Sequence, residues 1–385
     1  MSIFLIIIFI VLSILTLAYV LLISFYTYGW ISLKKYESKE RIFSTSVSII
    51  VPARNEEKKI IPCLSSLIAQ YYPKNLLEII LIDDSSTDKT SELVNDFIKN
   101  NSEVNIKFLK LSDNDKTNSN KKQAISYGIK NSSGSLIITT DSDCISGKKW
   151  VSSIVDYYEN HDVKMIVSPV VFKHEKHFLK KLQSLEFISL ISSGAAAINL
   201  RKPIMCNGAN LAYEKEAFVN INGFDANKNY ASGDDIFLLL EIKKHFGKNS
   251  IQFLKNQDSI IYTEAASTIK EFINQRIRWI SKSKAYKDFG IISVALIIFM
   301  FNFGIVAGLI AGFFFSDLLF WVLIMFCIKV LIDFPILFSF SKFIKQRKML
   351  WYYLPLQVIY VFYITIFGII GNLSPFNWKG RKIIN

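Results

Sequence analysis

Residues 3–25 carry no charge, and the run is long enough to cross a bilayer, which takes about 20 residues. A wholly soluble fold is therefore not expected. A cleaved secretory signal would show a basic residue before the apolar run and a small-residue cleavage site after it, and neither is present. Lys34, Lys35, Lys39 and Arg41 follow closely, which predicts a cytoplasmic location for the middle of the chain. Tyr26, Tyr28 and Trp30 fall where an interfacial aromatic belt belongs. Three more apolar stretches close the sequence. Residues 289–315 and 351–373 are uncharged, while residues 318–340 hold only Lys329 and Asp333, four apart and able to pair on one helix face inside a bundle.

The basic loop Lys342, Lys345, Arg347, Lys348 is expected on the cytoplasmic side, which makes residues 289–315 and 318–340 a hairpin. One further crossing would place Lys379, Arg381 and Lys382 outside, against the same rule. Either the last segment is re-entrant or interfacial, or the tail is an exception.

Between these ends the chain reads as a soluble domain. Lys+Arg exceeds Asp+Glu by 45 to 32, a balance suited to anionic headgroups and a phosphorylated substrate. No aromatic-basic nucleic-acid module is visible, so no nucleic-acid partner is expected. Cys63, Cys144, Cys206 and Cys327 are scattered, without the close spacing of a metal or redox site.

The soluble region alternates short β-rich runs with helical patterns. Residues 47–51, 77–82, 106–109 and 137–140 read as strands; residues 58–70, the run through Leu93 and Ile98, and residues 121–130 read as helices. This repetition predicts a mostly parallel sheet with crossover helices. Ligands bind such sheets beyond the carboxyl ends of the strands. Asn55, Glu56, Asp83, Asp84, Lys121 and Asp141 all fall at or just beyond those ends. There is no G-x-G-x-x-G and no P-loop, which excludes dinucleotide-binding and NTPase sites of those types. Two carboxylates one residue apart, Asp141 and Asp143, can share a hard divalent cation that takes its remaining ligands from phosphates; the competing reading is a plain acidic turn.

Ser48-Ile-Ile-Val-Pro-Ala-Arg-Asn-Glu56, Leu81-Ile-Asp-Asp-Ser-Ser-Thr-Asp88 and Thr140-Asp-Ser-Asp143 together resemble the ordered signature of family 2 glycosyltransferases with the GT-A fold. The resemblance covers roughly residues 47–282. It implies an α/β nucleotide-sugar-binding domain, flanked here by one N-terminal and about three C-terminal transmembrane helices. It also implies that Ala53, Asn55, Glu56 and Asp83 or Asp84 contact the donor nucleoside, that Lys121 lies near the diphosphate, and that Asp141 and Asp143 bind Mg²⁺ or Mn²⁺. The segment Cys206–Tyr213 resembles the acceptor-side lining. Ser232-Gly-Asp-Asp235 matches the acidic pair that supplies the general base in inverting members, with Asp235 favoured over Asp234; capping of the following helix is the alternative. Gln275, Arg278 and Trp279 fit the pattern QxxRW, in which Arg neutralises a leaving diphosphate and Trp offers a flat wall to a sugar or acceptor. Trp378-Lys-Gly-Arg381 resembles a C-terminal signature of some members.

The expected organisation is a first span at 1–30, a cytoplasmic glycosyltransferase domain at 45–282, a membrane region at 289–373 and a basic tail at 374–385. Residues 172–204 combine Lys173, Lys176, Lys180 and Lys181 with spaced apolar residues, which suits either a membrane-interface helix or one packed on the core. The expected activity is transfer from a nucleotide sugar, with UDP-sugars favoured, to a lipid or membrane-associated glycan at a bacterial inner membrane. A processive polysaccharide synthase and a non-catalytic nucleotide-sugar-binding scaffold are the alternatives. Four spans are few for a polymer channel, and Ile236 stands where polymer synthases often carry a basic residue, which favours single transfer.

Overall fold

A computed structural model of the chain describes residues 3–39, 41–111, 120–173, 177–227, 233–281, 286, 288–370, 376–378 and 381–383. Ser232, Lys176, residues 112–119 and half of the basic tail, Lys379 and Gly380 included, lie outside them. In chain order the elements are α1 (Ile3–Ser32), β1 (Val47–Ala53), α2 (Ile60–Ile68), β2 (Leu77–Asp83), α3 (Thr90–Lys99), β3 (Ile106–Lys110), α4 (Asn120–Lys130), β4 (Leu136–Thr139), β5 (Ile145–Ser146), α5 (Trp150–Asn160), β6 (Met165–Val167) and β7 (Val170–Phe172). There follow α6 (Phe178–Asn199), β8 (Leu211–Glu214), α7 (Lys215–Asn220), α8 (Asp234–Phe246), β9 (Ile251–Phe253), β10 (Ile261–Thr263), α9 (Ile269–Ser281), α10 (Phe289–Ala311), α11 (Asp317–Phe343), α12 (Tyr353–Ile370), β11 (Phe376–Trp378) and β12 (Arg381–Ile383). By their contacts these group into two units, one of residues 33–173 and 197–265, the other of residues 1–32, 174–196 and 266–385.

The first unit is built on a seven-stranded sheet in the order β3-β2-β1-β4-β8-β6-β9. β3, β2, β1 and β4 run parallel, β8 is antiparallel to both its neighbours, and β6 and β9 are parallel to each other. β2 and β4 are buried along their whole length, and β1 at all but Pro52, which is why they read as predominantly apolar runs. Register decides how each strand reaches the edge. Ala53 stands opposite Asp83, whereas Thr139, the last residue of β4, stands opposite Ile50. β4 therefore ends lower on the sheet than β1 and β2, and Asp141 leaves it inside the rim set by their loops. A three-stranded sheet, β5-β10-β7, completes the unit.

One buried acid interrupts the apolar centre. Glu78 on β2 accepts from the Ser48 hydroxyl and the Gly134 N–H, and pairs with Lys107 Nζ at 2.8 Å. Burial alone would raise its pKa; the Lys107 and Ser48 hydrogen bonds outweigh that and bring it down to about 2. Gly134 sits so close that a Cβ there would stand 2.5 Å from the Ser48 backbone nitrogen.

Among the described residues, the second unit holds four helices long and apolar enough to cross a membrane, at residues 5–32, 289–311, 317–343 and 347–370. Leu5, Phe9 and Leu12 of α1 pack with Phe301 and Ile305 of α10, Val322 and Met325 of α11, and Val361 of α12. Small residues let these helices approach: a Cβ at Gly308 would meet Val322 Cγ2 at 2.6 Å. The expected pairing of Lys329 with Asp333 is present at 2.6 Å. Lys329 also bonds Gln357 Oε1, and the Tyr19 hydroxyl donates to Asp333 at 2.8 Å. On α6, Phe178 and Leu179 are exposed whereas Leu182, Leu185, Phe187 and Ile188 are buried. Residues 177–196 of this stretch group with the membrane-length helices.

Candidate active site

Two loops form the rim over β1 and β2. Asn55 and Ser85 both take left-handed backbone, φ 52° and 55°, a conformation asparagine tolerates better than most residues. The loops are tied to each other: Asn55 Oδ1 accepts from Thr87 N at 2.8 Å, Asn55 N donates to Ser86 Oγ, and Glu56 N donates to Thr90 Oγ1. Asp83 is buried and accepts from Ser86 N and from the Ser91 hydroxyl. Arg54 donates to the carbonyl of Asp84 at 2.6 Å and lies 4.0 Å from its carboxylate. Asn55 and Asp83, singled out as donor contacts, thus also hold the loops in shape. Arg54, to which the sequence reading assigned no role, binds one loop to the other.

Below this rim the acids converge. Lys121 Nζ stands 2.7 Å from Asp141 Oδ1 and 3.3 Å from Asp234 Oδ2. Burial would lower the Lys121 pKa, but Asp141 and Asp234 outweigh it and hold the ammonium above the usual lysine value. A glycine loop brings the last acid in. Thr139 Oγ1 donates to Gly208 O at 3.1 Å, Gly208 N points at Asp235 Oδ2 at 3.4 Å, and a Cβ at Gly208 would come 3.1 Å from Asp234 Oδ2. Asp141, Lys121, Asp234 and Asp235 therefore meet around residues 207–210, although they come from three parts of the sequence. That loop is fixed by Asn210, whose amide donates to the carbonyls of Pro169 and Ser259 and whose oxygen accepts from Trp150 Nε1.

Neither acid is the N-cap of α8, although the Asp235 carboxylate accepts from a first-turn N–H of that helix. The N-cap of α8 is Gly233 at φ 91°, and it makes no side-chain cap bond. Asp234 is buried and turned to Lys121, while Asp235 is less buried and accepts from Ile236 N at 2.8 Å.

Asp143 has a separate cation. Lys59 lies 3.9 Å from Asp143 and 3.4 Å from Glu264, which Lys173 also reaches at 3.3 Å. Burial lowers the Lys59 pKa and these two acids more than restore it. The donor set suits a hard cation. Asp141 and Asp143 offer carboxylate oxygens on side chains 37% and 28% exposed. The nearby thiols of Cys63 and Cys144 are pushed up by burial, with Asp143 and Asp141 adding to the effect, and stay protonated. Among the described residues no three His, Cys, Asp or Glu side chains form a ligand group, so an ion held by Asp141 and Asp143 would take its remaining ligands from other oxygens, such as backbone carbonyls, water or a phosphate.

Gln275, Arg278 and Trp279 lie on α9, in the other unit. What organises them is Arg276, a residue the pattern does not include. It is fully buried, pairs with Glu186, donates to Gln275 Oε1 at 2.8 Å and lies 4.1 Å over the Trp279 ring. Tyr363 donates to the other oxygen of Glu186 at 3.0 Å. Gln275 and Trp279 share a helix face as their spacing implies, and Arg276 touches both.

A family model described as glycosyl transferase family 2 matches residues 48–221, and one described as glycosyl transferase family group 2 matches residues 136–372. A Methanococcus voltae protein named dolichyl N-acetyl-alpha-D-glucosaminyl phosphate 3-beta-D-2,3-diacetamido-2,3-dideoxy-beta-D-glucuronosyltransferase is 24% identical, over 86% of this chain and 98% of its own. A poly-beta-1,6-N-acetyl-D-glucosamine synthase of Staphylococcus epidermidis is 26% identical, over 60% of this chain and 53% of its own. In structure, a mannosyltransferase from Pyrobaculum calidifontis, solved with GDP-Man and Mn²⁺, matches with a TM-score of 0.61 at 16% identity, over 92% of this chain and 98% of that one. That likeness shows a shared GT-A fold.

Proposed function

Because the chain belongs to the family 2 glycosyltransferases, we propose that it is an inverting, membrane-bound enzyme that moves one sugar from a UDP-linked donor to a lipid-linked acceptor at the cytoplasmic face. Glycosyl transfer from a nucleotide sugar follows from family membership. The finer reading is carried by one observation, the Lys121 ammonium set between Asp141 and Asp234, with Asp235 beside them. It joins the acids suited to a diphosphate with the acids suited to an acceptor.

In this reading Ala53, Asn55, Glu56, Asp83 and Asp84 receive the nucleoside, and Lys121 faces the diphosphate. Asp141 and Asp143 would hold Mg²⁺ or Mn²⁺, which when bound offsets charge on the leaving nucleoside diphosphate. Asp235 takes the proton from the acceptor hydroxyl as its oxygen attacks the anomeric carbon and the bond to the diphosphate breaks. Asp234 is the weaker candidate for the base because Lys121 stabilises its charged form. Gln275, Arg278 and Trp279 serve the leaving group and the acceptor, with Arg276 holding Gln275 and Trp279 in place.

The Methanococcus relative, named for transfer to a dolichyl-phosphate-linked sugar, aligns over nearly its whole length, whereas the polymer synthase aligns over about half of its own. That coverage favours single transfer over polymer synthesis. The test is a panel of nucleotide sugars supplied to membranes holding the enzyme, with mass spectrometry of the lipid extract. One added sugar in the lipid fraction is expected, and Asp235→Asn should lower turnover about 10²- to 10⁴-fold with donor binding retained. Polymer ladders, or an unaffected Asp235→Asn enzyme, would sink the reading. Nucleotide binding without turnover on any donor would favour a scaffold.

A further inference from the structure

The loop between α11 and α12 takes no part in the chemistry above, yet it concentrates charge. Lys342, Lys345, Arg347 and Lys348 line one shallow pocket together with Gln346. No Asp or Glu occurs from residue 338 to residue 353. Among the described residues none of the four cations has a carboxylate partner; Arg347 instead lies 5.4 Å over the Phe338 ring. A fifth cation joins from α6. Lys181 Nζ donates to Tyr352 Oη at 2.9 Å and lies 4.6 Å over that ring, and the Phe178 ring approaches Tyr352 at 5.7 Å. The stretch 177–185 is also free of acids.

Uncompensated cations of this kind sit beside bare apolar surface. Trp351 is 86% exposed and Leu354 60%, with Phe178 and Leu179 about half exposed. Water suits the cations and not the tryptophan; hydrocarbon suits the tryptophan and not the cations. The headgroup layer of a bilayer suits both, and the loop joins two helices of membrane-spanning length. The chemistry that matches is a phosphate with acyl chains attached. A free phosphate would satisfy the cations and leave Trp351 and Leu354 in water.

We propose that Lys342, Lys345, Arg347 and Lys348, with Lys181, form a binding site for the phosphate of an anionic phospholipid, whose acyl chains pack on Trp351 and Leu354. The site selects charged over zwitterionic lipid, because a choline headgroup brings its own cation to the cluster.

The full-length protein is reconstituted in vesicles of equal parts phosphatidylcholine and phosphatidylglycerol, extracted, and its retained lipid measured by native mass spectrometry. Retention of phosphatidylglycerol over phosphatidylcholine is expected. It should fall about tenfold or more in the Lys342→Gln/Lys345→Gln/Arg347→Gln/Lys348→Gln protein and persist in a Lys244→Gln/Lys248→Gln control. Equal retention of the two lipids, unchanged enrichment in the fourfold variant, or displacement of the lipid by inorganic phosphate would each overturn the proposal. If the fourfold variant aggregates, a salt titration of the unaltered protein decides: enrichment must decline as ionic strength rises, and a flat response counts against the site.

Discussion

An ammonium 2.7 Å from one carboxylate and 3.3 Å from another, as Lys121 stands to Asp141 and Asp234, offsets the repulsion between two acids gathered at one site. Removing it should change more than donor affinity. Lys121→Met is expected to lower kcat/KM about 10²-fold or more, the scale for losing one preorganised charge donor. Pre-steady-state kinetics would check this, and a loss confined to KM would count against it. Lys121, Asp141, Asp234 and Asp235 were legible in the sequence because each lies in a short motif at the end of an element. Lys59, Arg54 and Arg276 were not. Lys59 meets Glu264 across more than two hundred residues, and Arg276 sits between two pattern positions that draw attention to themselves.

At the scale of elements, the parallel strands and their helices follow from composition: β2 and β4 are mostly apolar and buried along their length, with Glu78 tolerated inside β2 because Lys107 and Ser48 partner it. The reversal of β8 is not legible. Leu211-Ala-Tyr-Glu214 is too short to declare its direction, which is set by pairing with β4 and β6. Nor does periodicity reveal the cluster joining β1, β2 and the turn before β4, where Glu78, Ser48 and Gly134 share hydrogen bonds. Gly134→Ala tests how tightly that junction is packed. The added methyl would stand 2.5 Å from backbone, which no side-chain rotation relieves, so destabilisation of about 1–3 kcal/mol is expected. Thermal unfolding in detergent measures it. An unshifted midpoint would show that β1 and the turn can separate at little cost.

For the molecule as a whole, the membrane-length helices were plain from apolar runs, and the Lys329–Asp333 pair from its four-residue spacing in one of them. The grouping of residues 174–196 and 266–281 with those helices is a matter of contacts, which composition does not carry. Lys329 is 1% exposed, and its partners come from two helices, Asp333 on its own and Gln357 on α12. Truncating one member of such a pair leaves a buried charge alone, so Lys329→Met should cost about 3–5 kcal/mol, seen as a lower melting temperature. Lys329→Met/Asp333→Leu should recover most of it. A double variant as unstable as the single one would show that the pair does more than compensate its own burial.

The reversed strand also bears on how the chain is made. β1, β2, β3 and β4 pair only with one another as they leave the ribosome, so four strands of the sheet are available once Thr139 has been synthesised. The outer edge of β4 then stays open until Leu211–Glu214 arrives, and β6 waits for the same strand. Throughout that interval the nascent protein presents an unpaired strand edge next to Asp141. The β1–β4 part of the sheet is thus assembled early and the part holding β8, β6 and β9 late, and misfolding during synthesis is most to be feared between those two moments.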